Sequence, residues 1–250
     1  MRYWATLGPK SSAVSTIKAM LEAGMTGVRL DLSGCTLEVY RALIDVIREA
    51  GKACGVTLEL IMDMQGPDED DPASPALTAD DRRSIALARE LGITTLMQPF
   101  VRGRRDVAEI RSVLQAAGYP ELPIMSKIEN RSGLAMREEI AEASDEICVA
   151  RGDLGRNIPL WELPAAQKAI AETCRRAGKP LMVVNQLLAS MEHSAVPTRA
   201  EVCDIYNAVL DGADTLLLVA ETKKGDFPVE AVRWLRQVGE EAASHRKSVQ

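Results

Sequence analysis

Short apolar runs alternate with longer amphipathic stretches along the chain. Eight apolar runs occur, at residues 3–7, 27–32, 58–64, 94–100, 122–128, 146–150, 180–184 and 215–219. Most are continuous rather than alternating, which is typical of parallel strands that are buried on both faces. The pattern therefore predicts eight buried strands.

The stretches between these runs carry apolar residues three or four positions apart, as amphipathic helices do. They cover residues 12–23, 37–53, 78–91, 106–117, 132–143, 163–177, 198–210 and 228–244. Gly24 is a plausible stop after the first, and Thr78 with Asp81 forms a capping-box-like start of the third. Regular strand–helix alternation predicts the α/β class and a single (β/α)8 TIM barrel over residues 1–250. An open doubly wound sheet is the alternative, but no GxGxxG motif follows the first strand.

One connection differs from the others. Residues 66–77, between the third strand and its helix, contain three prolines and four acidic residues and predict an irregular loop. In a barrel of this type, the loops after the strands build the active site. A plain acidic turn is the alternative interpretation.

Composition narrows the class of protein. The net charge of −6 argues against a nucleic-acid surface. Five cysteines without metal-ligand spacing predict reduced thiols and a cytoplasmic location. With only His193 and His245, neither a histidine-rich metal site nor a Ser–His–Asp triad is expected. No signal peptide or membrane span is expected, and Trp4, Trp161 and Trp234 are interpreted as packing residues.

Polar residues lie where the predicted strands end. In (β/α)8 enzymes the catalytic groups come from these ends, which meet at one rim of the barrel. A lone charge at a strand end is usually only solvated, but polar groups from six strands predict a functional rim. They are Arg29, Asp31, Ser33, Asp63, Lys127, Glu129, Arg151, Gly152, Asp153, Asn185, Gln186 and Glu221.

The residue types at this rim indicate a metal-assisted reaction. Glu129 and Asp153 offer the hard oxygen ligands that Mg²⁺ or Mn²⁺ prefers, with water and substrate completing the shell. Lys127 lies two residues before Glu129, so both point to the same side of an extended strand. An ammonium beside a metal can stabilise an enolate. Arg29 suits a carboxylate or phosphate, and the backbone near Gly152 can approach a carboxylate closely.

Several segments together resemble the catalytic barrel of the pyruvate kinase family. They are residues 28–33, 125–130, 149–155, 197–201, 207–214 and 221–226. The resemblance implies that Lys127 stabilises the enolate and the phosphoryl group in flight, and that Glu129 and Asp153 bind the divalent metal. It implies that Ala150, Arg151 and Gly152 hold the substrate carboxylate and that Arg29 contacts phosphate.

The resemblance also implies further sites. Ser33, Asp63 and Met64 match a potassium site, so the resemblance implies K⁺ there, but Asp31 replaces the family's Asn. Asn185 replaces the Thr on the methylene side of the substrate. A homo-oligomer packed through helices near residues 160–173 and 197–210 is expected.

The departures from the family pattern cluster on the nucleotide side. Residues 68–76 stand in place of the family's lid domain, and the C-terminal regulatory domain is not expected. Ser12, Gly34, Gln65 and Pro99 replace an Arg, a His, a Lys and a Ser of the family. The metal and 2-oxo-acid half is therefore interpreted as intact, and the nucleotide and potassium half as eroded.

Three functions follow from this division. The first is a pyruvate-kinase-like, Mg²⁺-dependent enzyme that stabilises the enolate of phosphoenolpyruvate, pyruvate or a related 2-oxo acid, with lyase-type aldol or decarboxylation chemistry favoured. The first alternative is a minimal true pyruvate kinase that transfers phosphoryl to ADP. The second is a non-catalytic metabolite-binding module. In each case the expected partner is a small 2-oxo acid or enol phosphate, without nucleic acid or membrane.

Overall fold

A computed structural model describes residues 1–31, 37–67 and 73–249. The eight strands pair in chain order, all in parallel where their register is defined, and form a closed barrel. They are β1 (Arg2–Thr6), β2 (Gly27–Asp31), β3 (Glu59–Asp63), β4 (Thr95–Gln98), β5 (Ile124–Ile128), β6 (Glu146–Ala150), β7 (Leu181–Val184) and β8 (Thr215–Leu218). The predicted (β/α)8 fold is confirmed.

Eleven α-helices lie among the described residues. They are α1 (Val14–Ala23), α2 (Leu37–Cys54), α3 (Ala79–Leu87), α4 (Arg104–Ala116), α5 (Arg131–Ala135), α6 (Arg137–Ala143), α7 (Arg151–Asn157), α8 (Leu163–Ala177), α9 (Arg199–Asp211), α10 (Ala220–Lys223) and α11 (Pro228–Val249). The predicted helix over 132–143 is broken at Met136, whose φ and ψ of −97° and 16° are not helical. The short helices α7 and α10, which the pattern did not predict, begin at the ends of β6 and β8.

Burial explains why the strands were readable as continuous apolar runs. Every residue of β4, β7 and β8 is buried, so both faces of these strands favour apolar side chains. The helix ends also follow the sequence. Gly24 adopts the left-handed conformation after α1, and Thr78 and Asp81 form the reciprocal capping box of α3.

The described residues divide into two compact units. One comprises residues 1–30, 37–59 and 182–249, and includes the pairing of β1 with β2 and β8. In it, Trp4 faces Gly27, where an added Cβ would lie only 2.6 Å from the indole Nε1. Glycine is required there because the buried ring fills that space. The other unit comprises residue 31 and the described part of 60–181, and carries β4, β5 and β6.

The three tryptophans do not share one environment. Trp4 is 1% exposed and packs in the core as expected, but Trp161 is 83% exposed, so its assignment as a packing residue was wrong. Trp161 lies in a 3₁₀-helix, Leu160–Glu162, that links α7 to α8, and its neighbour Leu160 is 68% exposed. Of the helices that the structure describes, none has the length and apolar character needed to cross a bilayer.

Some residues that the sequence analysis singled out lie outside the described ranges. They are Ser33, Gly34 and the acidic stretch from Asp68 to Asp71 within the 66–77 loop. The described ends of that loop are residues 66–67 and 73–77.

Candidate active site

The end of β5 presents a lysine to two buried carboxylates. The Nζ atom of Lys127 lies 3.3 Å from Oδ1 of Asp63 and 3.5 Å from Oε1 of Glu129. The lysine side chain is 13% exposed, and those of Asp63 and Glu129 are 3% and 0% exposed. When both carboxyl groups are ionised, their charge exceeds that of the ammonium by one in a nearly dry environment, and a further cation would be favoured there.

Glu129 is the most perturbed group of this cluster. Its pKa is raised from 4.5 to about 7, mainly because burial disfavours the carboxylate, and the charges of Asp63 and Asp153 raise it further. The Lys127 ammonium and the hydrogen bond from the Phe100 amide oppose this rise. Oε1 of Glu129 accepts a hydrogen bond from the N–H of Phe100 at 2.7 Å, whereas Oε2 is buried without a hydrogen-bond partner among the described residues. One oxygen of Glu129 is therefore buried with its hydrogen-bonding capacity unused.

Backbone strain concentrates at the strand ends. Among the described residues other than glycine, three have positive φ: Phe100 at 51°, Asn185 at 78° and Gln186 at 52°. Phe100 follows β4 by two residues, and the other two directly follow β7. Such conformations cost about 1–2 kcal/mol for residues with a Cβ and persist where the surroundings enforce them, often at functional sites. At Phe100, the hydrogen bond to Glu129 is one such enforcement.

Helix α7 places the second predicted metal ligand. Asp153 lies in the first turn of α7, its side chain is 36% exposed, and Oδ1 accepts a hydrogen bond from Arg156 at 2.9 Å. Asn157 donates to the backbone oxygens of Glu129 and Asp153, at 3.2 and 3.1 Å, and so ties α7 to the end of β5. Ala150 is buried at the N-cap, and Arg151 and Gly152 are half-buried in the first turn.

The two predicted metal ligands do not form a complete protein cage. Among the described residues, no three Asp, Glu, His or Cys side chains are arranged to hold an ion by themselves. Glu129 and Asp153 would supply two hard oxygen ligands, and water or a ligand would have to supply the others. This matches the chemistry of Mg²⁺, which usually keeps several waters and few carboxylates.

The segment after β3 is fixed by a carboxylate that the sequence analysis did not assign to the site. Asp81 is fully buried and accepts three backbone N–H groups, from Gln65 at 2.8 Å, Gly66 at 3.1 Å and Thr78 at 2.9 Å. The capping box identified Asp81 as a helix start, but its bonds to residues 65 and 66 depend on tertiary structure. Met64, a predicted potassium ligand through its carbonyl, is buried directly before this segment.

The far end of the same loop is also fixed. Arg102 donates to the carbonyl of Ser74 at 3.0 Å, and Glu109 accepts the N–H of Ala76 at 3.2 Å. Arg102 is itself held by Asp106 at 2.9 Å. Both described ends of the 66–77 loop are therefore anchored to their own unit by hydrogen bonds.

The remaining predicted residues belong to the other unit, except Asp31. Arg29 is half-buried and donates to Oγ1 of Thr6 at 3.2 Å. Asp31 ends β2 and is half-buried. Asn185 is half-buried and Gln186 is exposed, both directly after β7.

Glu221 has a different environment from Glu129. It is 2% exposed, and its oxygens accept the N–H groups of Leu188 at 3.1 Å and Val219 at 2.9 Å. Both oxygens of Glu221 bind backbone amides, so this carboxylate links two segments of the chain. In Glu129, by contrast, Oε2 has no hydrogen-bond partner among the described residues. The sequence analysis named Glu129 as a metal ligand and Glu221 only as a further polar residue of the rim, without a role.

Comparison with known proteins agrees with this arrangement. The family model described as pyruvate kinase, barrel domain, matches residues 2–71 and 71–232. A pyruvate kinase of Geobacillus stearothermophilus is 43% identical over 175 residues, covering 69% of this chain and 30% of that protein. One from Borreliella burgdorferi is 41% identical over 172 residues, covering 69% and 36%.

A more distant relative aligns over nearly the whole chain. The pyruvate kinase of Aeropyrum pernix is 28% identical over 319 residues, covering 95% of this chain and 70% of its own length. The chain matches only about a third of the length of the more similar relatives. Because the family model covers most of the residues, including those around Lys127 and Glu129, the chain belongs to the pyruvate kinase family.

Proposed function

We propose that this chain is a metal-dependent enzyme that transfers a phosphoryl group from phosphoenolpyruvate to ADP. The observation that carries the proposal is Glu129, which is fully buried beside Lys127 and keeps one oxygen without a hydrogen bond. Burying such a group is costly unless a ligand completes it. The names of the relatives support this reaction over the lyase-type chemistry favoured by the sequence.

The residues present fit a divalent cation. Glu129 and Asp153 would hold Mg²⁺ or Mn²⁺, because both are hard oxygen donors and the charge of Asp153 acts on Glu129. Burial raises the pKa of Glu129 to about 7, and a bound cation would lower it by favouring the carboxylate. Such a cation, when bound, stabilises negative charge that develops on a substrate oxygen.

The protein's own groups would act on the rest of the substrate. Lys127 is held between two carboxylates, so its ammonium is fixed in place to stabilise an enolate oxygen and the phosphoryl group during transfer. The backbone of Ala150, Arg151 and Gly152 would receive the substrate carboxylate. Arg29 would contact phosphate, and Asn185 would face the methylene side.

A second candidate keeps the enolate and omits the nucleotide. It is favoured by the anchored connection after β3, where Asp81, Arg102 and Glu109 fix the described ends of a short loop. The two matches of the family model meet at residue 71, within this loop, which supports the proposal that the loop stands where the family has its lid domain. Phosphoryl transfer usually needs a closing element that excludes water. A lyase acting through the same enolate would need less closure.

One assay separates the two candidates. The protein is incubated with phosphoenolpyruvate, ADP and Mg²⁺, and pyruvate and ATP are both measured, with Lys127→Met as the matched control. Equal amounts of both products, lost in the Lys127→Met protein, are expected. Absence of ATP would contradict kinase activity. Oxalate binding without any turnover would instead indicate the metabolite-binding module.

Other parts of the assignment belong to the same proposal. Asp31, Ser33, Asp63 and Met64 would form a monovalent-cation site, and titration with K⁺ tests it. Self-association would use the surfaces near residues 160–173 and 197–210, because Leu160 and Trp161 are exposed apolar side chains there. Reduced thiols, as the sequence predicts, would fit a cytoplasmic location.

A further inference from the structure

The chain leaves β7 through a strained turn. Asn185 and Gln186 both adopt left-handed backbone conformations, although neither is glycine. The two residues that follow, Leu187 and Leu188, are completely buried. The strained backbone of Asn185 and Gln186 needs an interaction that holds it in place. Without one, both residues would relax toward negative φ.

Glu221 supplies that interaction. Its Oε1 accepts the N–H of Leu188 at 3.1 Å, and its Oε2 accepts the N–H of Val219, at the end of β8, at 2.9 Å. The carboxylate therefore fixes the β7 turn to the end of the neighbouring strand. Hydrogen bonds from backbone amides to a buried charged acceptor are among the stronger ones in proteins.

A hydroxyl at the same corner bonds to segments other than the β7 turn. Thr222 is completely buried, and its hydroxyl donates to the carbonyl of Thr6 at 2.8 Å. Glu221 and Thr222 are adjacent in sequence and both buried. Both contact Val219, but Glu221 also binds Leu188 in the β7 turn, whereas Thr222 also binds Thr6. This difference provides a matched pair of substitutions.

We infer that Glu221 is a positioning residue that sets the backbone conformation of Asn185 and Gln186, and through it the orientation of Asn185 toward the substrate. Glu221 itself does not touch the substrate, because both of its oxygens bind the chain. The kinetic part of this inference rests on the proposed function. The conformational part does not.

The first test is amide hydrogen exchange followed by NMR on the full chain. Glu221→Gln replaces one accepting oxygen with an NH₂ group that faces an N–H donor. We expect exchange at Leu188 or Val219 to become at least about tenfold faster. The N–H of Ser190, which donates a hydrogen bond to Glu201 at 2.7 Å, serves as the internal reference. Its exchange rate should change by much less than tenfold. Unchanged exchange at both amides would overturn the inference.

The second test separates positioning from general stability. Glu221→Gln should raise the KM for phosphoenolpyruvate about tenfold, after correction for the folded fraction, with a smaller change in kcat. Thr222→Val removes a neighbouring buried hydrogen bond and should lower the Tm without changing KM. Equal KM values in these two variants and the wild type, with turnover present, would overturn the positioning role.

Relief of strain gives an independent check. Glycine has no penalty for positive φ, so Gln186→Gly should make the turn less dependent on Glu221. Adding Glu221→Gln to that variant should raise KM by less than about threefold. A full tenfold rise would contradict the strain argument. If Glu221→Gln does not fold, Glu221→Asp, which keeps the charge but shortens the reach, replaces it. If the wild type shows no turnover, the proposed function fails and the exchange experiment alone decides the inference.

Discussion

The raised pKa of Glu129 predicts a measurable effect of pH on stability when no divalent metal is present. The folded protein binds this proton up to about pH 7, whereas the unfolded chain releases it near pH 4.5. Between these values the folded state holds more protons, so stability falls as the pH rises. One pKa unit corresponds to about 1.4 kcal/mol, and the loss between pH 4.5 and pH 8 is therefore about 3 kcal/mol.

Glu129→Gln removes this proton equilibrium while keeping the size of the side chain and an oxygen for the Phe100 amide. The free energy of unfolding is compared between the variant and the wild type in EDTA. We expect the difference, variant minus wild type, to increase by about 3 kcal/mol between pH 4.5 and pH 8. Urea unfolding at several pH values measures it. Saturating Mn²⁺ should reverse the order at pH 8, because only the wild-type carboxylate gains a cation. Parallel pH profiles of the two proteins would refute the reasoning.

Glu221→Gln provides the matched control for the same measurement. It also exchanges a buried carboxylate for an amide, but both oxygens of Glu221 accept backbone N–H groups. We expect this variant to lose about 1–3 kcal/mol at pH 8, which is the opposite sign from Glu129→Gln. If both Glu129→Gln and Glu221→Gln stabilised the protein at pH 8, the difference in hydrogen bonding between the two glutamates would be contradicted.

Four further substitutions test other parts of the structure. Asp81→Asn should cost about 2 kcal/mol, because an amide cannot satisfy three backbone N–H groups as the carboxylate does, and thermal unfolding measures the loss. Gly239→Ala should lower the free energy of unfolding by about 1–3 kcal/mol, since the added Cβ would lie 2.7 Å from the buried Tyr3 ring. Gly155→Ala, whose Cβ would have its nearest neighbour at 3.5 Å, should leave stability unchanged or raise it. Trp161→Ala should change unfolding by less than about 0.5 kcal/mol but weaken self-association in sedimentation, because the side chain is 83% exposed, and an unchanged sedimentation profile would contradict its place in an interface.

The strands were predictable because burial on both faces leaves a continuous apolar run. The short helices α7 and α10 were not, because seven- and four-residue helices carry too few periods to stand out. Trp161 was misjudged for a related reason. Composition says that tryptophan is usually buried, but only tertiary structure shows that its 3₁₀-helix lies at the surface.

The site divides in the same way. Strand-end position and residue type were enough to predict that Lys127 and Glu129 lie on the same side, and the structure places their charged atoms 3.5 Å apart. The tertiary roles of Asp81 and Glu221 could not be predicted from the sequence. Asp81 accepts the N–H of Gly66, 15 residues before it, and Glu221 accepts the N–H of Leu188, 33 residues before it. Hydrogen bonds of that kind have no periodic pattern in the chain.

The central claim is that Lys127 and the carboxylates around it form a working enolate site. Proton NMR of pyruvate in D₂O, with the protein and Mg²⁺, tests it most directly, because an enolate exchanges the methyl protons for deuterium. Loss of the methyl signal with the wild type, and its persistence with Lys127→Met and with Glu129→Gln, is the predicted result. A methyl signal that persists with the wild type, in a preparation that binds Mn²⁺, would contradict the claim.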